Sequence, residues 1–258
     1  GAKGDLITFY TDYLNYSFGD ALKELASKVG IKINYSINER ELKANSKYFE
    51  IFENTSNWYH ENLFLNENRD ILDYLYKRNL SEKTIKYFEL GYSGNKKMTL
   101  YHYLKEKSFE DNDLINAGLF KFDKNKILRD FFYKRLMFPI KNINKKVIGF
   151  GARSLDNSIP KYINSPESNI FKKGNILFNL DKAKEHARKK NNLLICEGYM
   201  DVISLYEKGI KSVVASLGTA MTIEQLLLSW KSCKIPTLMF DGDIAGTKAS
   251  IKSALLAL

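Results

Sequence analysis

The hydrophobic pattern is clearest in the last third of the chain, where short apolar runs end abruptly at acids. Leu193 to Cys196 is apolar throughout, long enough for a buried strand and too short for a helix. It stops at Glu197-Gly198, and a helix-like stretch follows from Tyr199 to Lys208. A second apolar run, Val213 to Ala215, leads through Ser216–Ala220 to another helix from Thr222 to Lys231. The third, Pro236 to Phe240, ends in Asp241-Gly242-Asp243 before a small-residue helix starting near Ala245. This β-α-β-α-β-α rhythm predicts an α/β fold with a parallel sheet covered by helices.

Upstream the periodicity is helical. Leu22, Leu25 and Val29 share one face of a helix over Ala21–Val29, and Gly30 ends it. Ile31 to Tyr35 reads as extended, and the polar stretch Ser36–Ser46 as a linker. Between Lys47 and Asn66, Phe49, Phe52, Trp58, Tyr59 and Leu63 recur at helical spacing, which makes a core stripe and not a base-stacking platform. Short helices are expected over Asn68–Tyr76, Ser81–Phe88, Thr99–Lys105 and Asp111–Ala117, with a turn at Gly91–Gly94. From Phe120 strands take over. Leu136–Ile140 and Val147–Arg153, joined by a polar turn at 142–145, predict a hairpin. Gly149 and Gly151 strip alternate side chains from its second strand, so that another group can approach the backbone closely.

Forty Lys plus Arg against thirty Asp plus Glu leave a net charge of +10, which predicts a polyanionic partner. The bases are dense from Lys121 to Lys190, and Arg153, Lys161 and Lys173 form a candidate cationic wall for triphosphate or a nucleic-acid backbone. No apolar run is long enough to span a bilayer and no signal peptide heads the chain. The two cysteines, Cys196 and Cys233, read as buried thiols and not as a disulfide or zinc site. His60, His102 and His186 have no mutual spacing that makes a site.

In parallel sheets ligands gather outside the carboxyl ends of the strands, where Glu197, Asp241 and Asp243 all fall. If the first and third strands are neighbours, these carboxylates crowd together and need a cation; their hard oxygens suit Mg²⁺ or Mn²⁺. The competing reading is that each acid caps a helix. A non-catalytic nucleic-acid-binding module and a nuclease or topoisomerase using the same acids stay open on the residues alone. Tyr199 is the nucleophile a topoisomerase would need, or else first-turn scaffolding.

Taken together, Asp130–Ile140, Val147–Arg153, Pro160–Glu167, Phe171–Gly174, Glu197–Asp201, Ala215–Thr219 and Asp241–Gly246 resemble the bacterial DnaG-type DNA primases in order and spacing. Residues 4–26 resemble the tail of that family's zinc-binding module, and Asp73–Tyr92 the start of its polymerase core. The acid and Asp-Gly-Asp pair are shared by all Toprim proteins, whereas the Pro160–Glu167 segment belongs to primases. The resemblance implies a Toprim, Rossmann-like catalytic subdomain preceded by a basic mixed α+β subdomain. It divides the chain into a zinc-module tail (1–35), a linker and helix (36–66), the basic subdomain (67–175) and a C-terminally incomplete Toprim subdomain (176–258).

It further implies a DNA-directed RNA polymerase that makes short RNA primers on single-stranded DNA from ribonucleoside triphosphates, using two or more Mg²⁺ or Mn²⁺ ions. Glu197, Asp241 and Asp243 are then the metal-binding acids and Asp201 a further acid near the metals. Arg135, Arg153, Lys161, Asn164 and Lys173 face nucleotide and template. Zinc is expected only in a missing upstream module, a replicative helicase only through a C-terminal domain, and the location is cytoplasmic, at the replication fork. Phe131 and Tyr133 depart from the family by standing where it often has bases. The chain reads as a fragment truncated at both ends, expected to be weak or inactive alone.

Overall fold

The computed structural model describes residues 5–14, 16, 18–31, 39–156, 159–218 and 220–258. The chain divides into two compact units, residues 1–46 and 47–258. The boundaries expected at 66/67 and 175/176 therefore lie inside one unit.

In the first unit, α1 (Leu6–Thr8) is capped by Asp5, whose carboxylate accepts from the Thr8 amide at 2.7 Å. A π-helical turn over Phe9–Tyr13 follows, then α2 (Phe18–Lys28). The burial on α2 falls on Ala21 and Ala26, while Val29, expected on the apolar face, is exposed. Of the stretch 31–46, residues 32–38 lie outside the described residues. Residues 39–46 are not a linker but helical, because α3 runs over Glu39–Leu63. A polar composition does not preclude helix: Glu, Arg, Leu, Lys and Ala here are all strong helix formers.

In the second unit, the α3 residues Ile51, Phe52, Tyr59 and Leu63 are buried, so the aromatic stripe is core. Three short helices follow: α4 (Arg69–Lys77), α5 (Glu82–Tyr87) capped by Ser81, and, beyond the first strand, α6 (Thr99–Glu106). That strand, β1 (Gly91–Tyr92), lies where a turn was expected; it pairs with β4 (Arg135–Lys141), and only Gly94, at φ 84°, has turn geometry. Next come α7 (Asp111–Asn116) and a small hairpin of β2 (Phe120–Phe122) and β3 (Leu128–Asp130). The expected larger hairpin is present: β4 pairs antiparallel with β5 (Val147–Ser154). A further strand, β6 (Tyr162–Asn164), completes a four-stranded sheet in the order β1-β4-β5-β6.

After α8 (Leu180–Lys190) the chain forms the three predicted parallel strands, β7 (Leu194–Cys196), β8 (Val213–Ala215) and β9 (Thr237–Leu238), in the order β8-β7-β9. The intervening helices are α9 (Tyr199–Glu207), α10 (Ile223–Trp230) and, after β9, α11 (Ile244–Leu256). The first and third strands are thus neighbours, as the crowding argument required.

The sheets share a core. Leu136, Phe138 and Ile140 of β4 pack with Tyr199, Met200 and Val202 of α9, while Met137 joins Phe52 and Tyr59 on the opposite face. Both faces of β4 are covered, which explains its unbroken apolar run. A third cluster lies around Ile195, Val214, Leu180 and Leu226, behind the parallel sheet. Cys196 and Cys233 are free buried thiols.

One buried acid opposes this packing. Asp181, in the first turn of α8, has a buried side-chain oxygen, Oδ2, with no hydrogen-bond partner among the described residues. Burial raises its pKa, with Lys182 and Lys141 only partly opposing the shift. Its folded-state pKa lies above the unfolded one, so the ionised acid costs stability at neutral pH. That cost disappears as pH falls through the folded-state value. Asp181→Asn is expected to raise Tm by a few degrees at pH 7, a gain of roughly 1 kcal/mol. The gain should vanish by about pH 3, below the ordinary aspartate pKa. Thermal unfolding of both proteins across that range checks it; an equal or lower Tm for the variant at pH 7 contradicts it.

Candidate active site

Four acids lie along the carboxyl edge of the parallel sheet. Glu197 follows β7 directly, and its Oε1 accepts the backbone amide of Asp241, beyond the end of β9, at 3.0 Å. Asp243 is the N-cap of α11 and accepts the Gly246 amide through Oδ1 at 2.7 Å. Asp201, in the first turn of α9, reaches back to the Gly198 amide at 3.1 Å. Three of the acids therefore do cap or brace backbone, each through one oxygen, and keep a second oxygen to offer. The Asp241 carboxylate makes no hydrogen bond or ion pair among the described residues.

The charges feel one another. Loss of solvent is the largest cause of a raised pKa at Asp201; repulsion from Asp241 adds to it, while the Gly198 amide and Arg78 pull the other way. Burial pushes the Cys196 thiol up to about 12, with Asp201 and Asp241 adding to the shift. Asp201 and Asp241 thus bear on the same neighbourhood. Among the described residues, however, no three His, Cys, Asp or Glu side chains stand close enough together to hold an ion as they are. The donor set is all oxygen, which fits a hard divalent cation held by one or two carboxylates and several waters.

The expected basic and polar residues occupy different places. Arg153, at the end of β5, is only 8% exposed and lies between the rings of Tyr74 and Tyr162, at 5.5 and 5.6 Å from their centroids. Arg135 is buried and spans to the loop before β6, donating to the Pro160 carbonyl at 3.0 Å. Burial lowers its pKa, opposed by Asp156. Lys161 is exposed in the same loop. Lys173 lies beside Gly218 in the segment after β8, and its carbonyl accepts from Gln225 at 3.2 Å. Of the proposed wall, Arg153 and Lys161 lie near one another along the β5–β6 pair, whereas Lys173 belongs to the β8 side.

Asn164 is engaged within the protein. Its Oδ1 accepts from the Tyr199 hydroxyl at 2.5 Å, and the Tyr199 ring stacks on Phe138 at 4.9 Å and 10°. Burial drives the Tyr199 phenol well above its ordinary pKa. A buried, protonated, hydrogen-bonded phenol is scaffolding, not a nucleophile.

Sequence reasoning missed Tyr74, Arg78 and Tyr162. Arg78 follows α4, stands over Tyr74 at 5.2 Å, and its charge reaches Asp201. A signal did exist: only seven of the forty basic residues are arginine. In so lysine-rich a chain, each Arg marks a place where a planar, stackable guanidinium is worth examining.

Residues 58–184 match the family described as DNA primase catalytic core, N-terminal domain, and residues 191–257 match the Toprim domain. A solved DnaG primase catalytic domain bound to ssDNA superimposes with a TM-score of 0.77 at 34% identity, covering 84% of this chain and 68% of that one. The chain belongs to the DnaG-type DNA primases.

Among relatives of that family, the Clostridium acetobutylicum DNA primase is 39% identical over 259 residues, 98% of this chain and 42% of its own length. The Deinococcus radiodurans DNA primase is 39% identical over 252 residues, 97% of this chain and 43% of its own. The Aquifex aeolicus primase structure, with zinc-binding and RNA polymerase domains, has a TM-score of 0.76 at 34% identity and covers 99% of this chain and 62% of that one. The chain thus spans less than half the length of the curated DnaG-type primases it matches. Divalent-metal binding goes with the Toprim domain. Among the described residues no helix is long and apolar enough to cross a membrane.

Proposed function

We propose that this chain is the catalytic core of a primase, which extends RNA by template-directed nucleotidyl transfer on single-stranded DNA. The observation that carries the reading is the meeting of Glu197 with the Asp241 backbone at neighbouring strand ends, inside a DnaG-type core. Glu197, Asp241 and Asp243 would hold Mg²⁺ or Mn²⁺, with Asp201 close by. Such ions, when bound, stabilise triphosphate charge and lower the pKa of the attacking 3′-hydroxyl. The chain's own side chains do the positioning: Arg78, Arg153, Lys161 and Lys173 receive phosphates, and Tyr199 holds Asn164 and the start of α9 in place.

The test is incubation of the full-length protein with ribonucleoside triphosphates, Mg²⁺ and a single-stranded template. Short RNA products are expected; strand cleavage instead would favour the nuclease or topoisomerase reading. Template affinity should fall steeply with salt, losing about 0.7 in log–log slope for every phosphate neutralised. A flat salt response would remove the cationic wall. A replicative helicase is the partner the family resemblance adds, contacted outside this chain, and the replication fork is the corresponding location.

Gly246 offers a test of the acid arrangement that leaves every charge in place. A Cβ there would come within 2.6 Å of Glu197 Oε1 and would collide with the Asp241 carbonyl oxygen. Gly246→Ala is expected to break the Glu197–Asp241 link and weaken Mn²⁺ binding by at least about tenfold, as loss of a ligand's support does. Titration followed by electron paramagnetic resonance checks it; unchanged affinity would show that this link does not shape the site.

A further inference from the structure

We propose that Tyr74 is a positioning residue, whose ring presets the guanidinium groups of Arg78 and Arg153 for the phosphates of a single-stranded nucleic acid. The proposal rests on the cationic role given to those arginines above. Arg78 and Arg153 stand over this one ring, at 5.2 and 5.5 Å from its centroid, and Tyr162 covers Arg153 at 5.6 Å. Neither guanidinium forms an ion pair with a carboxylate among the described residues. They are held by aromatic faces instead.

That difference has a chemical consequence. A carboxylate partner fixes a guanidinium but cancels its charge, whereas an aromatic face attracts the cation through its quadrupole and leaves the net charge available. Arg153 is 8% exposed, and its Nε is buried with no hydrogen-bond partner among the described residues. The Tyr74 hydroxyl is likewise buried without a hydrogen-bond partner among the described residues. Of that residue, the ring makes the contacts and the hydroxyl makes none. Besides burial, Asp201 raises the pKa of Tyr162 while Arg153 and Arg78 lower it, so that acid and the two arginines bear on one ring.

The test uses the full-length protein and a fluorescently labelled single-stranded DNA oligonucleotide, titrated over a range of salt concentrations. Tyr74→Phe, which keeps the ring, should hold affinity within about twofold of wild type. Tyr74→Leu should weaken binding by about tenfold, the scale of one or two cation–π contacts. Its log–log salt slope should also be shallower by about 1.4, because two phosphates at roughly 0.7 each lose their partners. A loss of packing alone would lower Tm and leave the slope unchanged. Should the Leu variant fail to fold, phenylalanines of increasing ring fluorination at position 74 decide. They keep the shape while draining the quadrupole, so affinity should fall stepwise. A flat fluorination series, or a Leu variant with wild-type affinity and slope, overturns the role of Tyr74. Arg78→Gln and Arg153→Gln separate the two levels of the argument. If they weaken binding while the Tyr74 variants do not, only the positioning role falls. If they too bind like wild type, the cationic site itself is wrong.

Discussion

Glu197→Gln is expected to cut primer synthesis by about a hundredfold or more, while leaving the fold intact. The substitution separates two jobs of one side chain. Glu197 Oε1 accepts the Asp241 amide at 3.0 Å, and a glutamine carbonyl accepts the same bond. The negative charge is lost, and with it one of the acids that would hold a divalent ion. Several kcal/mol of transition-state stabilisation rest on such an ion, and each ~1.4 kcal/mol is tenfold in rate. Primer assays with the full-length protein should show the fall in kcat, with partial recovery at high Mn²⁺. Thermal unfolding should stay within a few degrees of wild type, because the backbone bond survives. Near-normal synthesis by this variant would remove Glu197 from the metal site and leave it as a brace between two strand ends.

Gly151→Ala is expected to be the most damaging conservative change in the antiparallel sheet. Gly151 pairs with Phe138 on one side and Asn164 on the other, so the three form a row across β4, β5 and β6. The Tyr199 ring lies over that row, stacked on Phe138 and bonded to Asn164. A Cβ at 151 would overlap the ring, coming within 2.5 Å of its hydroxyl oxygen. Overpacking of this kind costs about 1–3 kcal/mol, here toward the upper end because the ring is buried on all sides. The displaced residue also opens α9, two positions after Glu197, so activity should fall along with Tm. The double variant Gly151→Ala with Tyr199→Leu, which makes room, should recover part of the lost stability. A positive coupling of that kind is the expected sign for residues that collide. Strict additivity would mean that the strand relaxes away from the ring.

These two sites also show what the chain's pattern does and does not reveal. The strand-end places of Glu197 and Asp241 and the parallel sheet were legible because two of its three apolar runs stop at an acid, and Ile195 and Cys196 of β7 are buried too fully for charge. The bare strand at Gly149 and Gly151 was legible as a place of close approach, but the ring that approaches comes from α9, nearly fifty residues on, and nothing local names it. β1 and β6 escaped because two or three residues carry too little periodicity, and their partners supply the order. Residues 39–46 escaped because polarity was weighed above helix propensity. Helix capping was foreseen for Glu197, Asp241 and Asp243 as an alternative to metal binding; the structure shows Asp243 capping α11 and Glu197 bracing the Asp241 amide, while Asp201, for which no cap was foreseen, takes the Gly198 amide. The buried seats of Arg135 and Arg153 were not foreseen, since charge alone places arginine in water.

The Phe138–Gly151–Asn164 row under Tyr199 makes four positions a single unit of exchange. A variant that gains bulk at 151 must shed it at 199, and shedding the phenol strands the Asn164 amide without its donor. Random mutagenesis should therefore recover changes at 151, 164 and 199 in company and seldom alone. Grafting the Glu197 turn into another sheet will misplace its acid unless the glycine, the asparagine and the phenylalanine travel with it.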